Sequence, residues 1–133
     1  MRKALKGRLS FIEGPDDEVF ARLLLAADLI VLPYDAGISE RRSSFFSAVA
    51  CGGNVLTTSG RFTSPLGLER SGAHVVPVER WAAGDTQALQ SVTDAFLEDE
   101  RAVLTRRLKN LAWAEERSWE NRAALIMDFI STL

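Results

Sequence analysis

The hydrophobic period changes along the chain, and each change marks an element. Leu9 to Ile12 is a short β-prone run closed by Glu13-Gly14-Pro15. Asp16 or Asp17 then caps a helix whose apolar positions are Val19, Phe20, Leu23, Leu24 and Ala27. Leu29-Ile30-Val31-Leu32 is a continuous apolar run of the kind found in parallel strands buried on both faces, and Pro33 ends it. Ser39 opens a second helix through Phe45, Phe46, Val49 and Ala50, stopped by Gly52-Gly53. Asn54 to Thr57 and His74 to Val78 read as further strands. From Asp85 the period is helical to the end. Ala88, Leu89, Val92, Ala95 and Phe96 form one apolar face, and Val103, Leu104, Leu108, Leu111 and Ala112 another. Ser118 opens the last helix, with Trp119, Ala123, Ile126, Met127 and Ile130 as its stripe. Alternating strands and helices predict an α/β fold, an open parallel sheet with helices on both faces and right-handed crossovers, followed by an all-helical C-terminal third.

Composition narrows the class. A chain of 133 residues implies one domain, residues 1–133, with 47% apolar and 26% charged residues, as in ordinary globular proteins. Sixteen basic against eighteen acidic side chains leave a net charge of −2, so no global field exists to hold nucleic acid or an anionic membrane. A lone cysteine, Cys51, and a lone histidine, His74, exclude an internal disulfide and a Cys/His zinc site, and point to a reducing, cytoplasmic setting. The longest apolar stretch, Leu23 to Tyr34, is interrupted by Asp28 and too short to span a membrane. The first nine residues carry four basic side chains and no apolar core, so no signal peptide is expected.

In open parallel sheets ligands sit beyond the carboxyl ends of the strands, which directs attention to the loops after Leu32, Thr57 and Val78. The first reads Pro33-Tyr34-Asp35-Ala36-Gly37-Ile38, then Ser39-Glu40-Arg41-Arg42-Ser43-Ser44. Arginines in the first turn of a helix are opposed by the helix dipole, and a bound anion would relieve that repulsion. The alternative is that both point to solvent and pair with Glu40 or Asp35. Ser39, Ser43 and Ser47 recur every fourth residue, giving either a polar wall or a close-packed helix face. Thr57-Thr58-Ser59-Gly60 brings hydroxyls and a glycine to the same edge. A phosphoacceptor receiver is excluded because Asp17 and Asp35 are too close in topology and Glu79-Arg80 replaces the required lysine. No serine has nucleophile-elbow glycines, so His74 reads as a core or strand-end residue. Cys51 reads as a small buried residue. Trp81, Trp113 and Trp119 read as packing anchors.

The order of segments resembles the donor-binding lobe of GT-B glycosyltransferases of the glycosyltransferase family 4 type. The resemblance is carried by Ala26-Ala27-Asp28-Leu29-Ile30-Val31-Leu32-Pro33-Tyr34, by Ala48-Val49-Ala50-Cys51-Gly52-Gly53-Asn54-Val55-Leu56-Thr57-Thr58, by Val75-Val76-Pro77-Val78, and by Arg117-Ser118-Trp119-Glu120. It implies a Rossmann-like lobe that binds a nucleotide-diphospho-sugar as substrate, with no cofactor. The implied site comprises Gly37, Ile38, Ser39, Glu40, Arg41, Arg42, Ser43, Ser47, Thr57 and Thr58. The family's two signature glutamates fall at Ser39 and Ser47, so both are replaced here. Compared with the family, the chain starts at the lobe's third strand, lacking two strands with their diphosphate contacts and the acceptor lobe. A partial lobe is expected to act in a glycosyltransferase only with an acceptor-lobe partner chain, or to serve as a non-catalytic interaction module. Its strand edge would then pair in a homodimer or with a partner.

Overall fold

The computed structural model describes residues 10–87, 90, 93–94 and 99–132. Among these the chain runs α1 (Asp17–Ala26), β1 (Ile30–Leu32), α2 (Ser43–Ala50), β2 (Val55–Ser59), two 3-10 turns (Ser64–Leu66 and Leu68–Arg70), β3 (His74–Pro77), α3 (Val78–Ala82), α4 (Glu100–Glu115) and α5 (Trp119–Ser131). Short polar side chains start three of the helices. The Val19 N–H donates to Asp16 Oδ1 at 2.8 Å, Asp99 accepts from the Arg101 and Ala102 N–H groups, and Ser118 accepts from Asn121.

The sheet has three strands in the order β1-β2-β3, both pairs parallel, with Val31 beside Leu56 and Leu56 beside His74. The protein is therefore α/β with a small parallel sheet and a helical C-terminal region. Central β2 is buried from Val55 to Thr58, as a strand covered on both sides must be. One sheet face supplies Ile30 and Val55 to a core completed by Phe45, Ala48 and Val49 of α2 and Trp113 of α4. The rings of Phe45 and Phe46 lie 6.0 and 5.8 Å from that of Trp113.

Several expectations are corrected. Ser10 to Ile12 form no strand, and Phe11 is 89% exposed; Leu9 lies outside the described residues. A β-prone tripeptide needs a neighbouring edge and a buried face, and here it has neither. Strand β1 is an edge strand among the described residues, so Val31 is 45% exposed rather than buried on both sides. The second helix opens at Ser43, not Ser39, because Ser39 to Arg42 closes a turn through the Arg42 N–H and the Ser39 carbonyl. On that helix Ser43 and Ser47 face solvent instead of packing against a neighbour. Strand β3 ends at Pro77, and Val78 already belongs to α3. The face proposed for Ala88, Leu89, Val92, Ala95 and Phe96 lies outside the described residues.

Helix α4 turns its apolar stripe outward: Leu104, Leu108 and Leu111 are exposed, while Asn110 and Trp113 are buried. Backbone groups decide this orientation. The Asn110 amide donates to the Gly53 carbonyl and accepts from the Gly72 N–H, both at 2.8 Å. Arg107 donates to the carbonyls of Gly52 and Leu25. The Gly52, Gly53 and Gly72 groups lie in turns and the Leu25 carbonyl in the last turn of α1, and a buried backbone group left unpaired costs about 1–3 kcal/mol. Gly72 permits the approach, since a Cβ there would lie 1.9 Å from the Arg106 carbonyl oxygen.

His74 opens β3, half-buried, and its pKa lies below the ordinary 6.5 because burial and then the Arg106 charge disfavour the imidazolium. The unfolded chain therefore binds the proton more readily. Stability is fully present above about pH 6.5 and is lost as pH falls through the lowered folded value. Thermal melts between about pH 7 and pH 5 are expected to show a falling midpoint, and His74→Asn should flatten part of that fall. An unchanged slope in the variant would contradict this.

Candidate functional site

Two loops meet at the carboxyl edge of the sheet, one after β1 and one after β2. Thr58 ties them together. Its hydroxyl accepts from the Tyr34 N–H at 2.8 Å and donates to the Tyr34 carbonyl at 2.7 Å, while its own carbonyl accepts from Ile38 N–H at 2.8 Å. Thr63 closes the other end by donating to the Ile38 carbonyl and accepting from the Gly60 N–H, both at 2.9 Å. Between these clasps the two backbones touch. Gly37 has φ +76, and a Cβ on it would sit 2.2 Å from the Gly60 nitrogen.

Above this junction lies a cavity of about 650 Å³ lined by Ala36, Gly37, Ser39, Glu40, Arg41 and Arg42 from the first loop and by Arg61, Phe62 and Pro65 from the second. That volume is in the range of small-ligand sites. Arg42 lies over the Tyr34 ring at 4.9 Å and Arg61 over the Phe62 ring at 4.4 Å, so each guanidinium is steered by an aromatic face. Among the described residues neither Arg41, Arg42 nor Arg61 enters an ion pair, which removes the reading in which Glu40 or Asp35 neutralises them. The first turn of α2 follows directly. Arg42 is its N-cap and makes no side-chain capping bond, while its carbonyl accepts from the Phe45 and Phe46 N–H groups. The Tyr34 hydroxyl lies 2.8 Å from Ser44 Oγ.

Of the ten residues expected from the sequence, Gly37, Ser39, Glu40, Arg41 and Arg42 come together around the cavity. Ser43 and Ser47 lie on exposed α2 positions and do not line it. Ile38 is fully buried in the core. Thr57 and Thr58 are also fully buried, and their hydroxyls are spent on the Leu32 and Tyr34 carbonyls. Their part is to hold the loops in place. Arg61 and Phe62 were missed by sequence reasoning, although both directly follow the Thr57 to Gly60 segment at the sheet's carboxyl edge. A basic and an aromatic residue side by side at that edge are the signal that marks them.

The tryptophans divide. Trp113 anchors the core and donates from Nε1 to the Gly67 carbonyl at 3.1 Å. Trp119 is 87% exposed and anchors nothing among the described residues. Arg117 stacks 3.7 Å above the Trp113 ring and donates to the Leu66 and Trp113 carbonyls, fastening the turn beside Pro65 to the junction of α4 and α5. Comparison of the chain with protein-family models, curated proteins and solved structures returns no match.

Proposed function

We propose that the chain is the donor-binding part of a glycosyltransferase and that the cavity takes a nucleotide-diphospho-sugar through its phosphates. The observation that carries this reading is the group of three arginines, unpaired among the described residues, that two locked loops bring around one cavity. Only Glu40 opposes them in the lining. Preorganised guanidinium groups suit phosphate oxygens because they offer paired N–H donors and a permanent charge. The parallel order of β1, β2 and β3 and the Ala26 to Tyr34 and Ala48 to Thr58 segments support the Rossmann-like, GT-B-type reading through their resemblance to such lobes. Ser39 and Ser47 stand where the family carries glutamates, so sugar and ribose hydroxyls lose their carboxylate partners. Affinity is therefore expected to be weak, about 1 mM, or roughly −4 kcal/mol.

The test is an NMR titration with uridine, guanosine and adenosine diphosphates, repeated on an Arg41→Ala, Arg42→Ala double variant. Shifts confined to the Gly37 to Arg42 and Gly60 to Pro65 segments, weakened roughly tenfold or more in the variant, are the expected result. Added salt should weaken binding as well. Shifts elsewhere, or shifts indifferent to both arginines, would reject the reading.

A second reading, an interaction module, is favoured by one observation. Helix α5 buries none of its residues, and Leu125, Ile126, Met127, Phe129 and Ile130 are each more than half exposed. Such a patch favours association, as does the β1 edge, unpaired among the described residues. A second copy of the chain is the expected occupant, because an edge strand pairs antiparallel with its own copy about a two-fold axis. Light scattering at high concentration should then report a dimer, which Met127→Glu weakens. A monodisperse monomer would argue against it.

A further inference from the structure

We infer that Arg61 is the second anchor of the anion site and makes it selective for a diphosphate over a single phosphate group. This rests on the phosphate-binding reading of the cavity and assigns Arg61 a specificity role of its own within it. Arg61 is the sole cationic residue that the second loop gives to the lining, to which the first loop gives Arg41 and Arg42. Its backbone cannot drift. Gly60, the preceding residue, abuts the Gly37 backbone, and Thr63 two residues later is bonded to both loops. The Phe62 ring, 51% exposed, lies beneath the guanidinium and restricts where it points. The arginines therefore stand on two separate loops whose backbones are held against each other. A single phosphate satisfies one group and leaves the other in solvent, whereas a diphosphate offers charge at both ends and engages both. The shared chemistry is the diphosphate itself, whether borne by a nucleoside or free.

The experiment measures, by NMR titration of the whole chain, the affinities of inorganic phosphate, inorganic pyrophosphate and uridine diphosphate for the wild type, Arg61→Ala and Arg61→Lys. Wild type should prefer pyrophosphate to phosphate. Arg61→Ala should lose about tenfold in pyrophosphate affinity and less than about twofold in phosphate affinity. It should also flatten the salt dependence for pyrophosphate, and Arg61→Lys should recover part of both. Because Arg61 is exposed, its variants should keep the wild-type spectrum outside the site, which the same titrations report. Equal losses for phosphate and pyrophosphate, or no loss, would overturn the inference while leaving the Arg41 and Arg42 site standing. Failure of pyrophosphate and uridine diphosphate to bind the wild type would overturn both.

Discussion

Gly37→Ala is expected to destabilise the protein by on the order of 4 kcal/mol, enough to abolish a cooperative urea transition in a marginally stable domain. Two effects add. A positive φ costs an alanine roughly 1–2 kcal/mol, and the new methyl would press on the Gly60 backbone, which cannot rotate away as a side chain would. Gly14 supplies the control, since its φ is +57 but a Cβ there meets nothing within 4 Å. Gly14→Ala should therefore show the conformational cost alone, about 1 kcal/mol. Equal midpoints for the two variants in urea denaturation would show that the loops are not locked where the site requires them to be.

The second large effect belongs to Asn110. Its amide serves two loops at once, joining the turn after α2 to the turn before β3. Asn110→Ala leaves a carbonyl at Gly53 and an N–H at Gly72 without partners in a fully buried place. At about 1–3 kcal/mol for each orphaned group, a loss of about 3 kcal/mol is expected in urea denaturation with an unchanged m-value. A loss below about 1 kcal/mol would mean that water reaches both groups.

Asn110 also explains why part of the fold was hidden in the sequence. The Val103, Leu104, Leu108, Leu111 and Ala112 stripe predicts an apolar inner face, yet α4 is oriented by polar residues that satisfy loop backbone. Hydrophobic periodicity records burial preferences and is blind to carbonyls and N–H groups left over by turns elsewhere. Where burial preference and backbone pairing agree, the pattern is legible: β1 falls within the Leu29 to Leu32 run, Asp16, one of the two cap candidates, and Ser118 cap their helices, and the strands alternate with helices as expected. Leu9 to Ile12 failed because strand propensity depends on a partner edge. At the site, Arg41 and Arg42 stood out as charges placed against a local rule. Their position was misread, since they precede the helix instead of occupying its first turn. Thr57 and Thr58 spend their hydroxyls on carbonyls, and side-chain chemistry alone does not say whether a hydroxyl faces a cavity or a neighbouring carbonyl. Arg61 became visible only when the two loops were seen to share one cavity.

The central claim is that this cavity receives the diphosphate of a nucleotide. Its most direct test is a crystal structure of the chain grown with uridine diphosphate at about ten times the dissociation constant found by titration, where roughly nine-tenths of sites are filled. Phosphate density is expected in the cavity, with Arg41 or Arg42 on one side and Arg61 on the other. Density at any other surface, or a cavity empty at that occupancy, would contradict it.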